Sequence, residues 1–391
     1  MNFAIIGTGY VADMYPVTLG NHPELRYVGA WDRQSQNLEA FLHRWPGRKY
    51  EKLDEMLTDP SVDLVLNLTN PRSHFDITKR CLMAGKHVYS EKPMGMTVAE
   101  AQELADIAAQ QKLLLASAPC SVLSSTAQTL WKAIRDGLVG KVRLVYANFD
   151  DGMIAPRESP WQWRSASGVY WPAKDEFEIG CTYEHAGYVL TWLAAMFGPA
   201  RRVTAFASTQ IPEKGIPVDR MAPDFTVGCI EYDDGVVARV TCGLVAPKDK
   251  SLTVVCDEGE LFVGNVRNDC GKVFLRRARL TRLQAAVARR LSWLMRWLES
   301  RFGVSGWPDV FQRRLSPVRT ARETLVSPGK PVDFLRGPAE MAAALREQRP
   351  CLLSAELGAH IVEIVAALQY PDRSGSCKTL TTTFAAMHPM Y

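Results

Sequence analysis

The stretch FAIIGTGYVADMY, residues 3–15, decides the fold of the N-terminal part of this chain. An apolar run typical of a buried strand leads directly into Gly7-Thr8-Gly9-Tyr10-Val11-Ala12, the pattern G-x-G-x-x-A. In this pattern the first glycine permits a tight turn, the second lets a phosphate group approach the backbone, and the alanine allows close helix packing. We therefore predict a strand, a glycine-rich turn and a helix whose N-terminus faces a bound dinucleotide.

A second strand, LRYVGAWD, ends on Asp32, which lies 23 residues after Gly9. A carboxylate at about this spacing meets the ribose hydroxyls of a dinucleotide. Arg33 follows it and is able to accept a 2′-phosphate, which Asp32 would repel. The sequence therefore favours NAD as cofactor, with NADP as the alternative.

Strands and helices continue to alternate up to residue 120. The pattern predicts strands at 62–69, 86–93 and 112–119 and helices at 73–85 and 97–111. Such alternation is typical of a doubly wound parallel sheet, the Rossmann fold, with its site at the carboxyl ends of the strands. Polar residues fall at these ends, namely Thr69, Asn70, Glu91 and Lys92. We predict a dinucleotide-binding domain over 1–120.

The remaining residues, 121–391, carry a different pattern. Strands are predicted near 201–209, 224–232 and 235–245, with turns at Asp234-Gly235 and Glu258-Gly259. These turns indicate an open, mostly antiparallel sheet, so we predict a C-terminal α+β domain. An amphipathic helix is expected at 351–369.

Composition sets limits on the class of protein. The chain has 391 residues, 47% hydrophobic and 23% charged, which is typical of a soluble protein with more than one domain. Its 9 cysteines show neither a C-x-x-C pair nor Cys/His ligand spacing, so we expect no metal site and a reducing compartment. We also expect no signal peptide and no membrane span, and hence a cytoplasmic location.

Two further motifs accompany the glycine-rich turn: T-N-P-x-x-H at 69–74 and A-G-K-H-V-Y-S-E-K-P at 84–93. Together the three resemble the glucose–fructose oxidoreductase / inositol dehydrogenase (Gfo/Idh/MocA) family. The resemblance implies hydride transfer between a nicotinamide cofactor and a hydroxyl of a sugar or sugar-like polyol. It places Lys92 beside the nicotinamide as the acid–base residue, makes the Lys92–Pro93 peptide cis, and adds His74 to the cofactor contacts. Burial near a positive ring should lower the pKa of Lys92.

The family also has an acid, a histidine four residues later and a second acid three residues after that. Glu178 matches the first acid, but Thr182 occupies the histidine position and His185 the last acid position. On one continuous helix these three positions share a face. Two interpretations remain: His185 replaces the missing histidine, or it is a hydrogen-bonded residue beneath the cleft.

The segment 160–177 is rich in aromatic residues and precedes that helix. Aromatic faces suit a sugar ring, and a cation suits an attached carboxylate or phosphate. The candidate substrate-binding residues are Trp161, Trp163, Arg164, Trp171 and Lys174. The alternative is that the tryptophans only cover the core.

The segment 276–322 contains twelve arginines but only two acids, Glu299 and Asp309. Within 274–302, an apolar stripe lies opposite Arg282, Arg289 and Arg296, with Trp293 and Trp297 between the two faces. The stripe consists of Leu280, Leu283, Val287, Leu291, Leu294, Leu298 and Phe302. A basic amphipathic helix with boundary tryptophans can lie on an anionic bilayer. The alternative is that the stripe docks on the domain's own sheet or on a partner subunit.

Three other functions are weighed against a dehydrogenase. Within the family, transient oxidation by NAD can serve glycoside cleavage, and a non-catalytic dinucleotide- or sugar-binding protein would explain the missing histidine. Nucleic-acid binding by the arginines is not expected, because leucines and tryptophans fill that segment without a recognised motif. The resemblance further implies a homodimer or homotetramer.

Overall fold

The structure, a computed structural model, describes residues 1–279, 282–302, 312–318, 332–372 and 374–391. Two sheets organise these residues: a six-stranded sheet in the N-terminal domain and a nine-stranded sheet in the C-terminal domain. Of the basic segment 276–322, Leu280, Asp309, Arg319 and Arg322 lie outside the described residues. The predicted fold class, a Rossmann domain followed by an α+β domain, is confirmed.

The first sheet is entirely parallel and has the strand order β3-β2-β1-β4-β5-β6. This is the order of a doubly wound dinucleotide-binding sheet, with its switch point between β1 and β4. The strands are β1 Asn2–Ile6, β2 Arg26–Trp31, β3 Arg48–Lys49, β4 Leu64–Asn67, β5 His87–Ser90 and β6 Leu115–Ser117. The helices are α1 Ser35–Arg44, α2 Leu53–Thr58, α3 His74–Met83 and α4 Val98–Gln111.

The segment after the glycine-rich turn differs from the expected α-helix. It forms two short 3-10 helices, Tyr10–Met14 and Pro16–Asn21. Pro16 stands where the expected helix would continue, has no N–H to donate, and would clash with the carbonyl four residues earlier. The prediction of an α-helix here is therefore wrong, although the turn itself has the expected form.

The second sheet has the order β14-β13-β12-β11-β7-β10-β9-β8-β15. Only the β7–β10 pair is parallel, so the predicted mostly antiparallel sheet and both predicted hairpins are confirmed. The strands are β7 Val142–Asp150, β8 Ala200–Ser208, β9 Phe225–Tyr232, β10 Val237–Gly243, β11 Leu252–Cys256, β12 Gly259–Val263, β13 Val273–Arg277, β14 Arg313–Arg314 and β15 Lys378–Thr379.

The helical segment before β8 is broken, not continuous as we predicted. After α5 Ser125–Arg135 and α6 Ile154–Glu158 come α7 Ala173–Ile179, α8 Cys181–His185 and α9 Gly187–Phe197. The break between α7 and α8 is at Gly180, whose φ is 98°. Because the helical phase is reset there, Glu178, Thr182 and His185 do not share one face.

The side chain of Gln369 stabilises this break. Its amide oxygen lies 2.6 Å from the point that a β-carbon on Gly180 would occupy. The amide nitrogen donates to the carbonyl oxygen of Ile179 at 2.7 Å, and the amide oxygen accepts from the N–H of Tyr183 at 3.3 Å. The amide thus replaces backbone hydrogen bonds that a continuous helix would have made.

Gln369 ends α12, Ala355–Gln369, which joins the two domains. The helix begins later than the predicted 351 because Ser354 caps it, accepting a hydrogen bond from the N–H of Leu357. Ala359 and Val362 pack into an apolar cluster of the first domain, whereas Leu368 packs against Gly228 on β9 of the second sheet. One helix therefore holds both walls of the space between the domains.

The remaining helices are α10 Arg282–Phe302 and α11 Arg336–Arg346. No side chain of α10 that the structure describes is buried. The side chains of Arg282, Leu283, Leu298, Glu299 and Phe302 are not among those described. Among the described residues, no helix combines the length and apolarity that crossing a membrane requires.

Candidate active site

A cleft of about 770 Å³ runs between the two domains, within the usual size range of cofactor and ligand sites. Its first-domain wall is formed by the turns after β1, β2, β4 and β5. Among the candidate cofactor residues, those that line it are Gly7, Gly9, Tyr10, Val11, Asp32, Arg33, Thr69, Asn70, His74, Glu91 and Lys92. Thr8 does not: it is buried, and its N–H and hydroxyl donate to Asp32 Oδ2 at 2.6 and 3.0 Å.

The residues of this wall fit a dinucleotide. A β-carbon on Gly9 would meet nothing within 4 Å, so the backbone there is open to a ligand, whereas one on Gly7 would lie 2.8 Å from the backbone of Leu68. The buried Asn70 Oδ1 has no hydrogen-bond partner among the described residues. A buried acceptor without a partner is costly unless a ligand supplies a donor. Gly7, Gly9 and Asn70 would hold the cofactor, with Asp32 at the ribose end.

Two of the predicted cofactor residues are occupied by the protein itself. The ring nitrogens of His74 lie 2.7 Å from the carbonyl oxygen of Pro93 and 2.9 Å from that of Thr69. Glu91 accepts from the hydroxyl of Tyr15 at 2.8 Å and from the N–H of Lys92 at 3.0 Å. His74 and Glu91 therefore tie the strand-end turns to one another. The Lys92–Pro93 peptide, which follows Glu91, is cis, as the resemblance implied.

Lys92 reaches across the cleft to the second domain. Its ammonium nitrogen lies 2.5 Å from Glu184 Oε2 on α8, and the two side chains are 18% and 8% exposed. This pair is the point where the cofactor wall meets the second-domain wall. Sequence reasoning missed Glu184, although it directly precedes His185.

The pKa values of this pair depart from their ordinary values. Burial alone would lower the pKa of Lys92, but the carboxylates of Glu184, Glu91 and Glu176 outweigh it, so the pKa is raised. Our expectation that the pKa of this lysine is lowered is therefore wrong. Burial raises the pKa of Glu184 to about 7, and Lys92 offsets only part of that shift. Near neutral pH the pair therefore loses its first proton from Glu184, while Lys92 remains an ammonium.

His185 also lines the cleft, held between two carboxylates. Its Nδ1 lies 3.2 Å from Asp151 Oδ2, and its Nε2 lies 2.8 Å from Glu176 Oε1. Burial would raise the pKa of Asp151, but His185 and Lys250 outweigh it, so the pKa is lowered. Both carboxylates were missed by sequence reasoning because neither belongs to a recognised motif.

The other two predicted catalytic residues do not line the cleft. Thr182 is fully buried and shares a 2.7 Å hydrogen bond with the hydroxyl of Thr226. Glu178 lies 3.3 Å from a guanidinium nitrogen of Arg72 and accepts from the N–H of Asp219. The break at Gly180 explains both positions, because it separates the helix that carries Glu178 from the one that carries His185.

Of the candidate substrate-binding residues in the aromatic segment 160–177, some line the cleft and others do not. Trp163 and Trp171 line the cleft with their ring centroids 5.4 Å apart. Trp161 instead packs on Gly215, and Lys174 is exposed and pairs with Asp219 at 2.7 Å. Arg164 is exposed as well, with its guanidinium stacked on a neighbouring tyrosine.

The cleft also contains cations and an aromatic residue that the sequence did not single out. These are Tyr188, Lys248 and Arg267, all from the second domain. For Tyr188, the sequence signal is that it follows Glu184 by four residues on the helical segment. Lys248 and Arg267 belong to no recognised motif. No group of His, Cys, Asp and Glu residues within the described ranges is arranged to hold a metal ion.

Comparison with known proteins gives two matches to sequence models of one family. The description "Oxidoreductase family, NAD-binding Rossmann fold" matches residues 1–118, and the GFO/IDH/MocA C-terminal domain matches residues 127–262. Among curated proteins, trans-1,2-dihydrobenzene-1,2-diol dehydrogenase of Mus musculus is 26% identical over 62% of this chain and 68% of its own. The alignments to two other curated relatives, both uncharacterised oxidoreductases, span 67% and 54% of their lengths.

Solved structures share the fold across nearly the whole chain. The WlbA dehydrogenase from Bordetella pertussis, in complex with NADH and UDP-GlcNAcA, has a TM-score of 0.70 at 17% identity and covers 97% of this chain and 98% of its own. Levoglucosan dehydrogenase, in complex with NADH and levoglucosan, has a TM-score of 0.72 at 16% identity, covering 97% and 99%. The chain belongs to the Gfo/Idh/MocA family of oxidoreductases, whose N-terminal domain is an NAD-binding Rossmann fold.

Proposed function

We propose that this protein is an NAD(P)-dependent oxidoreductase that interconverts a hydroxyl and a keto group on a sugar or sugar derivative. The observation that carries the proposal is the buried pair of Lys92 and Glu184, where the cofactor wall meets the second domain. Oxidation of a hydroxyl needs a positioned proton acceptor, and such acid–base help contributes about 10²–10⁴ in rate. The nicotinamide, when bound, supplies the hydride chemistry.

The two side chains divide the proton transfer between them. Lys92, as an ammonium, donates a hydrogen bond to the reacting oxygen and stabilises negative charge that develops on it. In oxidation, the hydroxyl proton passes to Lys92 as Lys92 gives one of its own protons to Glu184. In reduction, the same protons move in the opposite direction. His185, on the same wall, is an auxiliary residue.

A sugar-like substrate is supported by the wall opposite the cofactor. Trp163 and Trp171 offer aromatic faces beside polar groups, an arrangement that suits the apolar face of a pyranose ring. Two solved structures of the same fold hold UDP-GlcNAcA and levoglucosan. Within this substrate class, we propose a nucleotide-linked sugar as the more specific candidate.

NAD is the favoured cofactor because of Asp32. Its carboxylate lines the cleft at the end of β2 and accepts from Thr8 and from the N–H of Gln34 at 2.7 Å. A fixed carboxylate there favours ribose hydroxyls and repels a 2′-phosphate. Asp32→Ala should therefore weaken NADH binding more than NADPH binding, as measured by fluorescence titration.

The decisive experiment is the variant Lys92→Ala. We expect kcat to fall by about two or more orders of magnitude while NADH affinity is kept, because acid–base assistance is lost and the cofactor wall is not. Candidate sugars are screened first by the absorbance of NADH. Lys79→Ala is the matched control, since Lys79 lies outside the cleft, has a side chain that is 43% exposed and pairs with Glu103.

Three results would count against this function. Unchanged turnover in Lys92→Ala would show that the pair carries no proton. Cleavage of a glycoside without net NADH formation would indicate the glycosidase of the same family instead. A chain that binds NADH but turns over no sugar would fit the non-catalytic alternative.

The same proposal includes a homo-oligomer in the cytoplasm. None of the 9 cysteines is paired in a disulfide, which suits a reducing compartment. Leu144, Tyr146 and Phe206 are 40%, 37% and 58% exposed on the outer face of the second sheet. An apolar sheet face of this kind suits contact with a second copy of the chain.

A further inference from the structure

Several charged side chains on the second-domain wall of the cleft lie next to a group of opposite type. On the second-domain wall, Glu184 pairs with Lys92, and His185 lies between Glu176 and Asp151. Asp151 also pairs with Lys250. Each carboxylate of this group therefore already has a basic side chain beside it.

Two further cations line the same cleft, Lys248 and Arg267. Neither has a carboxylate within ion-pair distance in the part of the chain that the structure describes. Arg267 is partly buried, and its guanidinium carbon lies 4.7 Å from the ring centroid of Tyr188. The charge of Arg267 helps to lower the pKa of Asp151 without a direct ion-pair contact. A bound anion in contact with the guanidinium would therefore offset the cost of partly burying this cation.

The position of Arg267 is fixed by aromatic stacking. Tyr188 is itself stacked on Phe149, with centroids 5.0 Å apart and planes 9° apart. Tyr188 is also close enough to Lys92 that the phenol contributes to raising the pKa of the lysine. A stacked guanidinium keeps its N–H edge free, and this edge matches a carboxylate or phosphate with two parallel hydrogen bonds.

We propose that Arg267, assisted by Lys248, binds an anionic group on the substrate, a carboxylate or a phosphate carried by the sugar. This inference rests on the proposed function and specifies its substrate class. Arg267 follows β12 in the second domain, whereas the phosphate-facing glycines Gly7 and Gly9 follow β1 in the first. The anion is therefore one carried by the substrate and not the pyrophosphate of the cofactor. Arg267 and Lys248 replace the sequence-predicted Arg164 and Lys174 in this role.

The test uses the NADH-loaded protein. Because the cofactor is already reduced, a sugar with a free hydroxyl binds to it without being oxidised. Calorimetry compares glucuronate, glucose 6-phosphate and glucose as probes. We expect one or both anions to bind at least tenfold more tightly than glucose. Arg267→Gln should remove about ten- to hundredfold of that affinity, as expected for a lost charge-assisted hydrogen bond. Arg201→Gln is the control, because Arg201 is exposed and pairs with Asp233.

The outcomes separate this inference from the proposed function. Preference for glucuronate alone assigns a carboxylate, and preference for glucose 6-phosphate alone assigns a phosphate. Equal binding of glucose and both anions, or no anion binding to the NADH-loaded protein, overturns the inference. Failure of NADH itself to bind would instead overturn the proposed function. The affinity of Arg267→Gln for NADH should equal that of the unaltered protein.

A second inference comes from α10. Val287 and Leu291 of its apolar stripe are 37% and 40% exposed, and Trp293 is 65% exposed. Exposed arginines flank the stripe and cover the opposite face: Arg289, Arg290, Arg296 and Arg301. The helix contains one acid, Glu299. The geometry points to an anionic lipid surface as the partner of this helix, with apolar and tryptophan side chains at the headgroup boundary and arginines on phosphates.

Charge decides between a lipid surface and a second copy of the helix. Two copies meeting along this stripe would bring Arg290 and Arg301 of each chain together with almost no acid to offset them. An anionic bilayer favours the same arginines, and each basic residue at such a surface strengthens binding by roughly fivefold.

Co-sedimentation with vesicles tests this inference on the full chain. The protein should pellet with phosphatidylcholine/phosphatidylglycerol vesicles at low salt, but not with phosphatidylcholine alone, and salt should release it. The double variant Leu291→Ser, Trp293→Ser should bind at least tenfold more weakly. Leu345→Ser is the control, as this exposed leucine lies on α11. Protein that stays in the supernatant with anionic vesicles, or a dimer in vesicle-free solution that the double variant abolishes, overturns the inference.

Discussion

At the scale of single residues, the chemistry depends on the proton held by Glu184. Burial raises its pKa to about 7, and oxidation of a hydroxyl needs its carboxylate form to accept a proton. Below that pH the carboxyl is protonated, so kcat/KM for oxidation should rise as pH increases through about 7. We expect Glu184→Gln to remove this inflection and to lower kcat, because the amide cannot accept the proton.

The measurement is a pH profile of kcat/KM, which reports groups of the free enzyme. Glu356→Gln is a matched control, because Glu356 is an exposed glutamate in the first turn of α12. A Glu184→Gln profile that keeps the inflection near pH 7 would assign the inflection to another group.

Residues in local motifs were predictable, and residues brought together by tertiary structure were not. Gly7, Gly9 and Lys92 belong to short patterns whose chemistry is local, and the structure places them on the cleft. Glu184 and Arg267 gain their positions from a helix break and from stacking on Tyr188. A single glycine does not show which side chains a helix break will bring together, and the stacking leaves no pattern in the neighbouring sequence.

At the scale of elements, the position of α8, which carries Glu184 and His185, depends on the break between α7 and α8. Gln369 is buried and bonds to Ile179 and Tyr183 on either side of Gly180. Gln369→Leu leaves a buried carbonyl and a buried N–H unpaired, which should cost about 1–3 kcal/mol of unfolding free energy. It should also lower kcat, since α8 carries Glu184.

A merely structural role would lower stability without changing the chemistry. The informative result is therefore a reduced kcat at a temperature where the variant is fully folded, with NADH affinity unchanged. Gln210→Leu serves as control, because Gln210 is exposed and its amide donates to the hydroxyl of Ser208. Full kcat in a destabilised Gln369→Leu would restrict this residue to folding.

The same elements mark the limit of periodicity as a predictor. The strands and helices that alternating patterns predicted over residues 62–119 agree with the structure to within a few residues. The two errors, at Pro16 and at Gly180, both lie where a single residue interrupts an otherwise helical pattern. Proline and glycine are the residues that stop or turn a helix, so Pro16 and Gly180 were the sequence signals that indicated these two interruptions.

At the scale of the whole molecule, the two-domain plan was predictable, but the packing of α12 across both domains was not. The helix follows in sequence a part of the chain that belongs to the second domain, yet Ala359 and Val362 pack in the core of the first. Periodicity predicts that a helix has an apolar face but not which surface it covers. Contacts on both faces of α12 connect the two walls of the cleft.

The outer face of the second sheet carries exposed apolar side chains. Tyr146 on β7 and Phe206 on β8 point away from the core, and β7 lies at the centre of the nine strands. Arg239 stacks on Tyr146 with 4.6 Å between its guanidinium carbon and the ring centroid, which keeps that ring in place. Exposed apolar groups on a broad, ordered sheet favour association with an identical face, since a two-fold axis lets each patch serve both subunits.

We therefore expect light scattering coupled to gel filtration to give at least twice the mass of one chain, 43.6 kDa. Tyr146→Asp together with Phe206→Asp should produce monomers, because association would then bury two unpaired carboxylates on each subunit. Met83→Asp is the control for adding charge at an exposed apolar side chain, as Met83 lies on α3 of the other domain and is 62% exposed. The Lys92–Glu184 pair lies within one chain, so the monomeric variant should keep its affinity for NADH. A monomer in the unaltered protein, or an assembly that survives both aspartates, would show that copies of this chain do not meet through the second sheet.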